Sequence, residues 1–115
     1  MKITDVKVHL IRTNRTTAIP SPWILVQVFT DEGLVGLGDG TNWPGGTIIK
    51  QSIEELSRLL IGEDPTHIEL LYYRMYRALN PIGQTGAVIA AISGIEIALW
   101  DIHGQAVGRP IYDLR

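Results

Sequence analysis

The sequence contains no cysteine in its 115 residues. A chain without cysteine has no disulfide framework, no thiolate nucleophile and no Cys-ligated zinc or iron–sulfur site. It also lacks an excess of charge of one sign, since ten Lys and Arg residues stand against twelve Asp and Glu residues and the formal net charge is −2. Neutralising the phosphates of a nucleic acid needs a basic surface, so nucleic acid is not an expected partner.

An uninterrupted apolar run is missing as well. The N-terminus introduces charge at Lys2 and Asp5, which leaves no core for a signal peptide. The charge-free stretch 80–95 is broken by Pro81 and by several glycines and polar residues, and Glu96 closes it. A membrane-spanning helix needs about 20 mainly apolar residues. We therefore expect a cytoplasmic protein with no membrane partner, in which this stretch forms a buried helix.

What the chain does contain suits one small domain of the α+β class. Hydrophobic residues make up 45% and charged residues 19% of the sequence, which excludes a disordered chain. The length fits a single domain over residues 1–115 and leaves no room for a second one of ordinary size. Strand patterns come first and helix patterns afterwards, so helices are expected to pack on an antiparallel sheet.

The first third of the chain carries the strand patterns. Apolar and polar residues alternate from Ile3 to Thr13, and Trp23–Thr30 alternates along a run rich in β-branched residues. A polar loop that contains proline, 14–22, separates the two. Gly33 can take the positive φ of a short turn, after which Leu34–Asp39 returns as a third strand.

Two amphipathic helices are predicted next. Apolar residues at helical spacing from Ile49 to Leu60 form one face, and Gly62 stands where a helix C-terminal glycine belongs. The run Thr66-His67-Ile68-Glu69 matches a capping box, in which the Thr hydroxyl and the Glu carboxylate bind free amides of the first turn. The buried stripe of this second helix is predicted to be Ile68, Leu71 or Tyr72, Met75 and Leu79.

A third helix, Gly86–His103, is apolar nearly all round, which is typical of a helix in the centre of a fold. Ala90, Gly94 and Ala98 recur at every fourth position. They form a stripe of small residues on which another backbone could lie close, despite the cost of about 1 kcal/mol for glycine inside a helix.

The residues alone form no complete active site. The loop 40–47 follows a strand and precedes a helix, like a phosphate-binding loop, but Gly46 occupies the place of the lysine that such a loop needs. His9, His67 and His103 have no metal-ligand spacing among themselves, so structural roles are favoured for all three. No serine lies in a nucleophile-elbow context.

Glu96 and Asp101 lie in the apolar third helix, where a carboxylate must find a partner. A buried ion pair is therefore favoured over a catalytic acid. The cations available to these two acids are Lys50, Arg74, Arg77 and Arg109.

Two strings of the sequence, Thr30–Asp39 and Ser93–Ile102, resemble a known family, and the tail Gly108–Leu114 fits the same resemblance. The family is the N-terminal capping domain of the mandelate racemase/muconate lactonizing enzyme branch of the enolase superfamily. The resemblance covers essentially the whole chain. It implies an α+β fold with a three-stranded antiparallel meander followed by a bundle of about three helices, and a (β/α)8-type barrel that is absent from this chain.

The resemblance also implies a division of labour within a larger enzyme. The barrel of the family holds Mg²⁺ and removes the proton next to a substrate carboxylate. No catalytic or metal-binding residue is therefore expected in this chain, and the 115 residues alone should be inactive. The expected partners are a small-molecule carboxylate substrate, the chain's own barrel domain and further copies of itself in a homo-oligomer.

In the family, two loops of the capping domain close over the mouth of the barrel and select the substrate. By position these loops correspond to Thr16–Pro22 and Thr41–Gly46. The residues expected to contact the substrate are Ile19, Trp23, Asn42 and Trp43.

Among the activities of the family, the hairpin 31–39 and the helices after it resemble galactonate-like acid-sugar dehydratases most. A cap of a racemase, of a dipeptide epimerase or of a cycloisomerase is compatible with the same residues. A different class of function is also open, since the chain could be a free-standing α+β binding module. The reading frame beyond Arg115 separates these hypotheses, because only the enzyme requires a barrel.

Overall fold

A three-stranded antiparallel sheet forms the first part of the fold. The computed structural model describes residues 1–11, 23–40, 46–79 and 86–108. The strands are Ile3–Ile11 (β1), Trp23–Thr30 (β2) and Val35–Asp39 (β3), and they pair in the order β1-β2-β3. The predicted meander is confirmed.

The turn between β2 and β3 depends on Gly33 and Thr30. Gly33 has a φ of +81°, in the left-handed region that favours glycine. The Thr30 hydroxyl donates to the carbonyl oxygen of Leu34 at 2.9 Å and accepts from the Leu34 amide at 3.1 Å. These bonds set the register in which Phe29 lies opposite Val35.

The helices are Gly46–Leu60 (α1), Ile68–Leu79 (α2) and Gly86–Val107 (α3). Helices α1 and α3 pack on the sheet face that carries the buried side chains of Ile24, Val26 and Val28, and α2 packs on these two helices. The predicted buried stripes of α1 and α2 are confirmed, with Leu71 rather than the exposed Tyr72 in the core and Leu79 packed at its margin. Their buried members are Ile49, Ile53, Leu56, Leu60, Ile68, Leu71 and Met75.

The predicted capping box at the start of α2 is wrong. The amide and the hydroxyl of Thr66 both donate to Asp64 Oδ1, at 2.9 and 2.7 Å. The first bond of the helix joins the Leu71 amide to the carbonyl oxygen of His67, and the His67 amide donates to the Asp64 carbonyl oxygen. Residues 64–67 therefore form a β-turn, with Pro65 at its second position, that leads into the helix.

The small-residue stripe of α3 is the closest contact between a helix and the sheet. A Cβ on Gly36 or Gly38 would overlap a carbonyl oxygen of α3. Two residues of a strand advance about 6.6 Å and four residues of a helix about 6.0 Å, so the two repeats keep in step. The facing pairs are Gly36 with Ala98, Gly38 with Gly94, and Gly40 with Ala90.

Helix α3 is long and apolar enough to cross a membrane when it is judged by length and composition alone. The burial of α3 in this fold explains why the helix is so apolar. Ile92, Ile95 and Leu99 are buried in the core, and the stripe of small residues lies directly on β3. A helix with apolar neighbours on most sides is apolar on most sides, so α3 is the core helix of this fold.

Candidate functional site

Both predicted capping loops leave the sheet at the same end, which we call the loop end and define by Ile11, Trp23 and Gly40. Ile11 lies opposite Trp23 in the β1–β2 ladder, so the segment 12–22 begins and finishes side by side. The Gly40 amide donates to the carbonyl oxygen of Ile24 at 3.0 Å, which places the start of the second loop beside the start of β2. The loop residues themselves lie outside the described ranges, but the strand ends that flank them lie within those ranges.

Trp23 is the one predicted substrate-binding residue that lies within the described ranges. It is the first residue of β2 and is 55% exposed, on the sheet face opposite to the helices. Ile19, Asn42 and Trp43 lie outside the described residues, so their contact with a substrate stays a prediction.

Two helices begin beside the loop end. A Cβ on Gly40 would lie 3.3 Å from the Ala90 carbonyl oxygen of α3 and 3.6 Å from a side-chain carbon of Ile49 in the first turn of α1. Neither helix has an acidic residue in its first turn. Since the helix dipole favours negative charge at helix N-termini, the backbone makes this end of the domain favourable for an anionic group.

Large apolar side chains are exposed at the same end. Ile48 in the first turn of α1 is 62% exposed, and Ile89 in the first turn of α3 is exposed as well. Ile11 and Trp23 are exposed at this end as well, on the outer face of the sheet, and the four side chains form the apolar rim of the loop end. Exposed apolar surface of this kind is typical of sites that a ligand or another protein segment covers.

The carboxylate of Asp101 binds the sheet rather than a cation. Its Oδ2 accepts a hydrogen bond from the Leu37 amide at 2.8 Å, and one turn later the Gln105 side chain donates to the Val35 carbonyl oxygen at 2.8 Å. Leu37 and Val35 lie on the free edge of β3. Helix α3 therefore satisfies backbone groups that could otherwise pair with a foreign strand.

The predicted ion pair on α3 is thus wrong for Asp101 within the described part of the chain. Glu96 accepts a hydrogen bond from the indole nitrogen of Trp100 at 3.3 Å. Arg109 lies outside the described residues. The other cations have different partners: Lys50 pairs with Glu54 at 3.8 Å, Arg74 with Glu63 at 3.0 Å, and Arg77 donates to the Tyr73 hydroxyl at 3.0 Å.

The whole sequence matches a family model described as the mandelate racemase/muconate lactonizing enzyme, N-terminal domain, over residues 1–115. The chain belongs to this family. This mandelate racemase-type N-terminal domain is an α+β capping domain, with three antiparallel strands followed by three helices. The barrel is not in this chain.

Relatives of this domain are named for sugar-acid chemistry. A D-xylonate dehydratase of Haloferax volcanii is 43% identical over 98% of the chain, and a D-galactonate dehydratase of Verminephrobacter eiseniae is 41% identical over 86% of it. The crystal structure of the 3,6-anhydro-D-galactonate cycloisomerase from Zobellia galactanivorans superposes with a TM-score of 0.89 at 28% identity, over 99% of the chain and 31% of that protein. The chain spans 26% of the length of each of the two dehydratases.

The ionisable side chains of the mandelate racemase-type domain are spread apart. In residues 1–11, 23–40, 46–79 and 86–108, no three His, Cys, Asp or Glu side chains are grouped so that they could hold a metal ion. His9 Nε2 lies 2.6 Å from Gln27 Oε1 on the outer face of the sheet, and His67 Nε2 lies 3.9 Å from Asp64 Oδ2. Both histidines have structural contacts, in keeping with the prediction.

Sequence reasoning missed a shallow groove of about 570 Å³ between the start of α2 and the last turns of α3. Ile68 and Leu70 line one side, and Trp100 and His103 line the other. The His103 ring stands edge-on to Trp100 with centroids 5.8 Å apart, and its Nδ1 is buried with no hydrogen-bond partner among the described residues. The groove lies toward the opposite end of α3 from the loop end, so it is separate from the predicted substrate site.

Proposed function

We propose that this chain is the substrate-specificity cap of an enolase-superfamily lyase that dehydrates acid sugars. The observation that carries the proposal is the loop end, where one sheet holds the anchor residues of both loops, Ile11, Trp23 and Gly40, close together beside the first turns of two helices. The dehydratase names of the relatives support the substrate class. The parent enzyme is proposed to be cytoplasmic and homo-oligomeric.

The loop end suits the part of an acid sugar that lies away from its reacting carbons. The exposed indole of Trp23 offers a flat apolar surface to the C–H groups of a sugar. The proposed loop contacts Ile19, Asn42 and Trp43 would read the hydroxyl groups and the distal end of the substrate. Closure of both loops would also exclude water from the reacting atoms.

Proton transfer is assigned to polypeptide beyond this chain. In the dehydration a general base takes the proton α to the carboxylate, and the hydroxyl of the β carbon leaves as water with a proton from a general acid; the enol that remains becomes the 2-keto-3-deoxy acid. Asp101 is bonded to the sheet backbone and Glu96 to Trp100. In this proposal the chain binds and encloses the substrate, and it supplies neither the general base nor the general acid.

Mg²⁺ is assigned to that further polypeptide as well. A Mg²⁺ site needs oxygen ligands in near-octahedral geometry, whereas the carboxylates within the described ranges are dispersed and do not fit such a site. We therefore name no metal ligand in this chain.

A second candidate is the cap of a cycloisomerase. The Zobellia galactanivorans cycloisomerase, whose name also refers to a galactonate, has nearly the same backbone over 99% of this chain. Its sequence identity of 28% is lower than the 43% of the xylonate dehydratase, which is why dehydration is the first proposal.

The proposal is tested with the polypeptide encoded by the complete reading frame. We expect the frame to continue past Arg115 into a barrel, and the purified enzyme with Mg²⁺ to convert one or more members of an acid-sugar panel into a 2-keto-3-deoxy acid. Isomerisation of a 3,6-anhydro sugar acid without loss of water would instead support the cycloisomerase. A stop codon close to Arg115, together with ligand binding without turnover, would replace the enzyme with a free-standing binding module.

A further inference from the structure

The first residues of the chain meet two turns at the end of the sheet opposite to the loop end, and we call this meeting point the N-terminal junction. The Lys2 amide donates to Asp31 Oδ1 at 2.8 Å, and the Asp31 amide donates to the Lys2 carbonyl oxygen at 3.0 Å. The Ile3 amide donates to the Glu63 carbonyl oxygen, and the Ile3 carbonyl oxygen accepts from the Gly62 amide, each at 2.8 Å. Lys2 and Ile3 therefore join the β2–β3 turn to the turn that follows α1.

The β1–β2 ladder is irregular next to this junction. Ile3 lies opposite Thr30 and Asp5 lies opposite Phe29, so Thr4 is an extra residue in β1. An extra residue of this kind disrupts the ladder locally. The side chain of Ile3 is nevertheless 1% exposed in the core. The contacts of the N-terminal junction therefore hold the start of β1 where the ladder is interrupted.

The α-amino group of Met1 supplies a positive charge to the junction. Its nitrogen lies 3.1 Å from Glu32 Oε2 in the β2–β3 turn. The Met1 side chain is 9% exposed and packs on the core, which fixes the position of the amino group. The charges of Asp31, in the same turn as Glu32, and of Asp64, in the turn before α2, also act on this group. One cation therefore attracts carboxylates from both turns.

We propose that the free α-amino group of Met1 is a modification site whose charge closes the N-terminal junction, and that its acylation loosens the start of β1. In the acylation the nitrogen bonds to the acyl carbon of a thioester and gives up two protons, one of them to the departing thiolate. The neutral amide that results leaves Asp31, Glu32 and Asp64 without the cation that attracts all three. Like charges that lie close together repel one another. The inference is independent of the proposed enzymatic function.

Deprotonation of the same amino group should act like its acylation. The pKa of the Met1 amino group is raised above 8.0, first because of its hydrogen bond to Glu32 and then because of the charge of Glu32. A cation with a raised folded-state pKa stabilises the fold below its unfolded-state pKa, and the contribution is lost as the pH rises through the folded-state value. The other ionisable groups of the junction are Lys2, Asp31, Glu32, Glu63, Asp64 and His67. Carboxyl and imidazole groups ordinarily titrate below pH 7.5 and lysine above pH 9.5, so the amino group is the one that changes its charge between these values.

Amide hydrogen exchange of the 115-residue chain, with a free and with an acetylated α-amino group, tests the proposal. The reporters are three amides whose bonds form the junction, those of Ile3, Asp31 and Gly62. The control is the Gly40 amide, which donates to the Ile24 carbonyl oxygen at the loop end. We expect acetylation to speed the exchange of the three reporters about two- to fivefold, as the loss of an exposed ion pair should. The exchange of Gly40 should not change.

Glu32→Gln removes the charge of the partner and keeps an acceptor oxygen. The matched control is Glu55→Gln, because the Glu55 side chain is 64% exposed against 61% for Glu32 and pairs with Arg58 on α1. We expect Glu32→Gln to speed the exchange of the reporters as acetylation does, acetylation to add little in that variant, and Glu55→Gln to leave the reporters unchanged.

Raising the pH from 7.5 to 9.5 should reduce the protection of the reporters, after correction for intrinsic exchange, in the free chain and not in the acetylated chain. Reporters that exchange equally fast in both chains at pH 7.5 would overturn the proposal. It would also be overturned by an acetylation effect of the same size in the wild type and in Glu32→Gln, or by an equal acceleration at Gly40, since the loss would then not be confined to the junction.

Discussion

At the scale of single residues, Gly38 has the least room for change. A Cβ there would overlap the backbone carbonyl oxygen of Gly94, and neither backbone can move without displacing the core. We expect Gly38→Ala to lower the free energy of unfolding by at least about 3 kcal/mol, at the upper end of overpacking costs. The matched control is Gly40→Ala, because its Cβ would lie 3.3 Å from the Ala90 oxygen.

Gly40→Ala should change the free energy of unfolding by less than about 1 kcal/mol, since a slight shift relieves the contact and the unfolded chain loses freedom. Urea unfolding of both variants measures the difference. Equal costs for the two substitutions would contradict the close packing of β3 on α3.

Trp23 is predicted to matter for the substrate and little for the fold. It is 55% exposed, so Trp23→Ala should change the stability by about 0.5 kcal/mol or less. In the complete enzyme the same change should raise KM for the acid sugar about tenfold with a smaller effect on kcat, because binding contacts are lost. Leu37→Ala is the control, since Leu37 is similarly exposed on the same sheet away from the loop end. A KM unchanged by Trp23→Ala would remove this residue from the site.

The hydrogen-bond partner of Asp101 could not be predicted from the sequence. Its position in an apolar helix correctly indicates that the carboxylate needs a partner. A cation and a backbone amide satisfy that need equally well, and only the register of α3 on β3 decides between them. The spacing of Asp101 and Gln105, one helical turn apart, is the signal that two edge groups could be matched.

At the scale of elements, the contact of α3 with the β3 edge can be measured. Asp101→Ala removes the acceptor for the Leu37 amide, and we expect it to lower the free energy of unfolding by about 1 kcal/mol. Asp101→Asn keeps an acceptor oxygen and should cost less. Light scattering should also show more aggregation for the alanine variant, because an open edge can pair with other chains. An equal decrease in the free energy of unfolding for Asp101→Ala and Asp101→Asn would indicate that the charge of Asp101 matters and the hydrogen bond to the β3 edge does not.

The turn that leads into α2 predicts a pH dependence. The pKa of the Asp64 carboxyl is lowered, first because the Thr66 amide donates to it and then because the Thr66 hydroxyl does. A carboxylate with a folded-state pKa below its unfolded value of about 3.9 stabilises the fold above that pH, and the contribution is lost as the pH falls through the folded-state value.

Asp64→Asn keeps the acceptor oxygen but has no charge to titrate. The stability advantage of the wild type over this variant should therefore be full near pH 5 and should shrink below about pH 4. Urea unfolding at a series of pH values measures it. An advantage that stays constant down to pH 2.5, or grows there, would contradict the lowered pKa.

Periodicity explains why the elements themselves were predictable. Alternation along β2 and the helical spacing of Ile49, Ile53 and Leu56 follow from which side of an element faces the core. The start of α2 was not predictable. Thr66 is a residue type that commonly caps a helix, but its hydroxyl donates to Asp64, two residues earlier. The local sequence supplies both partners but does not rank them.

At the scale of the whole molecule, the order of the elements was predictable and the arrangement of surfaces was not. Three strands and then three helices follow from the pattern, and the quoted strings pointed to the family. The groove beside His103 arises from distant segments that meet in space, the start of α2 and the last turns of α3. Three of the four predicted substrate contacts lie outside the described residues, so for them the resemblance remains the support.

The loop end leads to a final prediction about the 115-residue chain by itself. Ile48 and Trp23 are more than half exposed, and in the proposed enzyme the substrate and further polypeptide would cover this end. The isolated chain should therefore bind a dye specific for apolar surface under native conditions, and Trp23→Ser combined with Ile48→Ser should reduce that fluorescence. A serine at Val107, which is also exposed but lies at the other end of α3, is the control and should have a smaller effect. A chain that unfolds cooperatively and binds no dye would show that its apolar rim needs no cover, and the cap proposal would lose its physical basis.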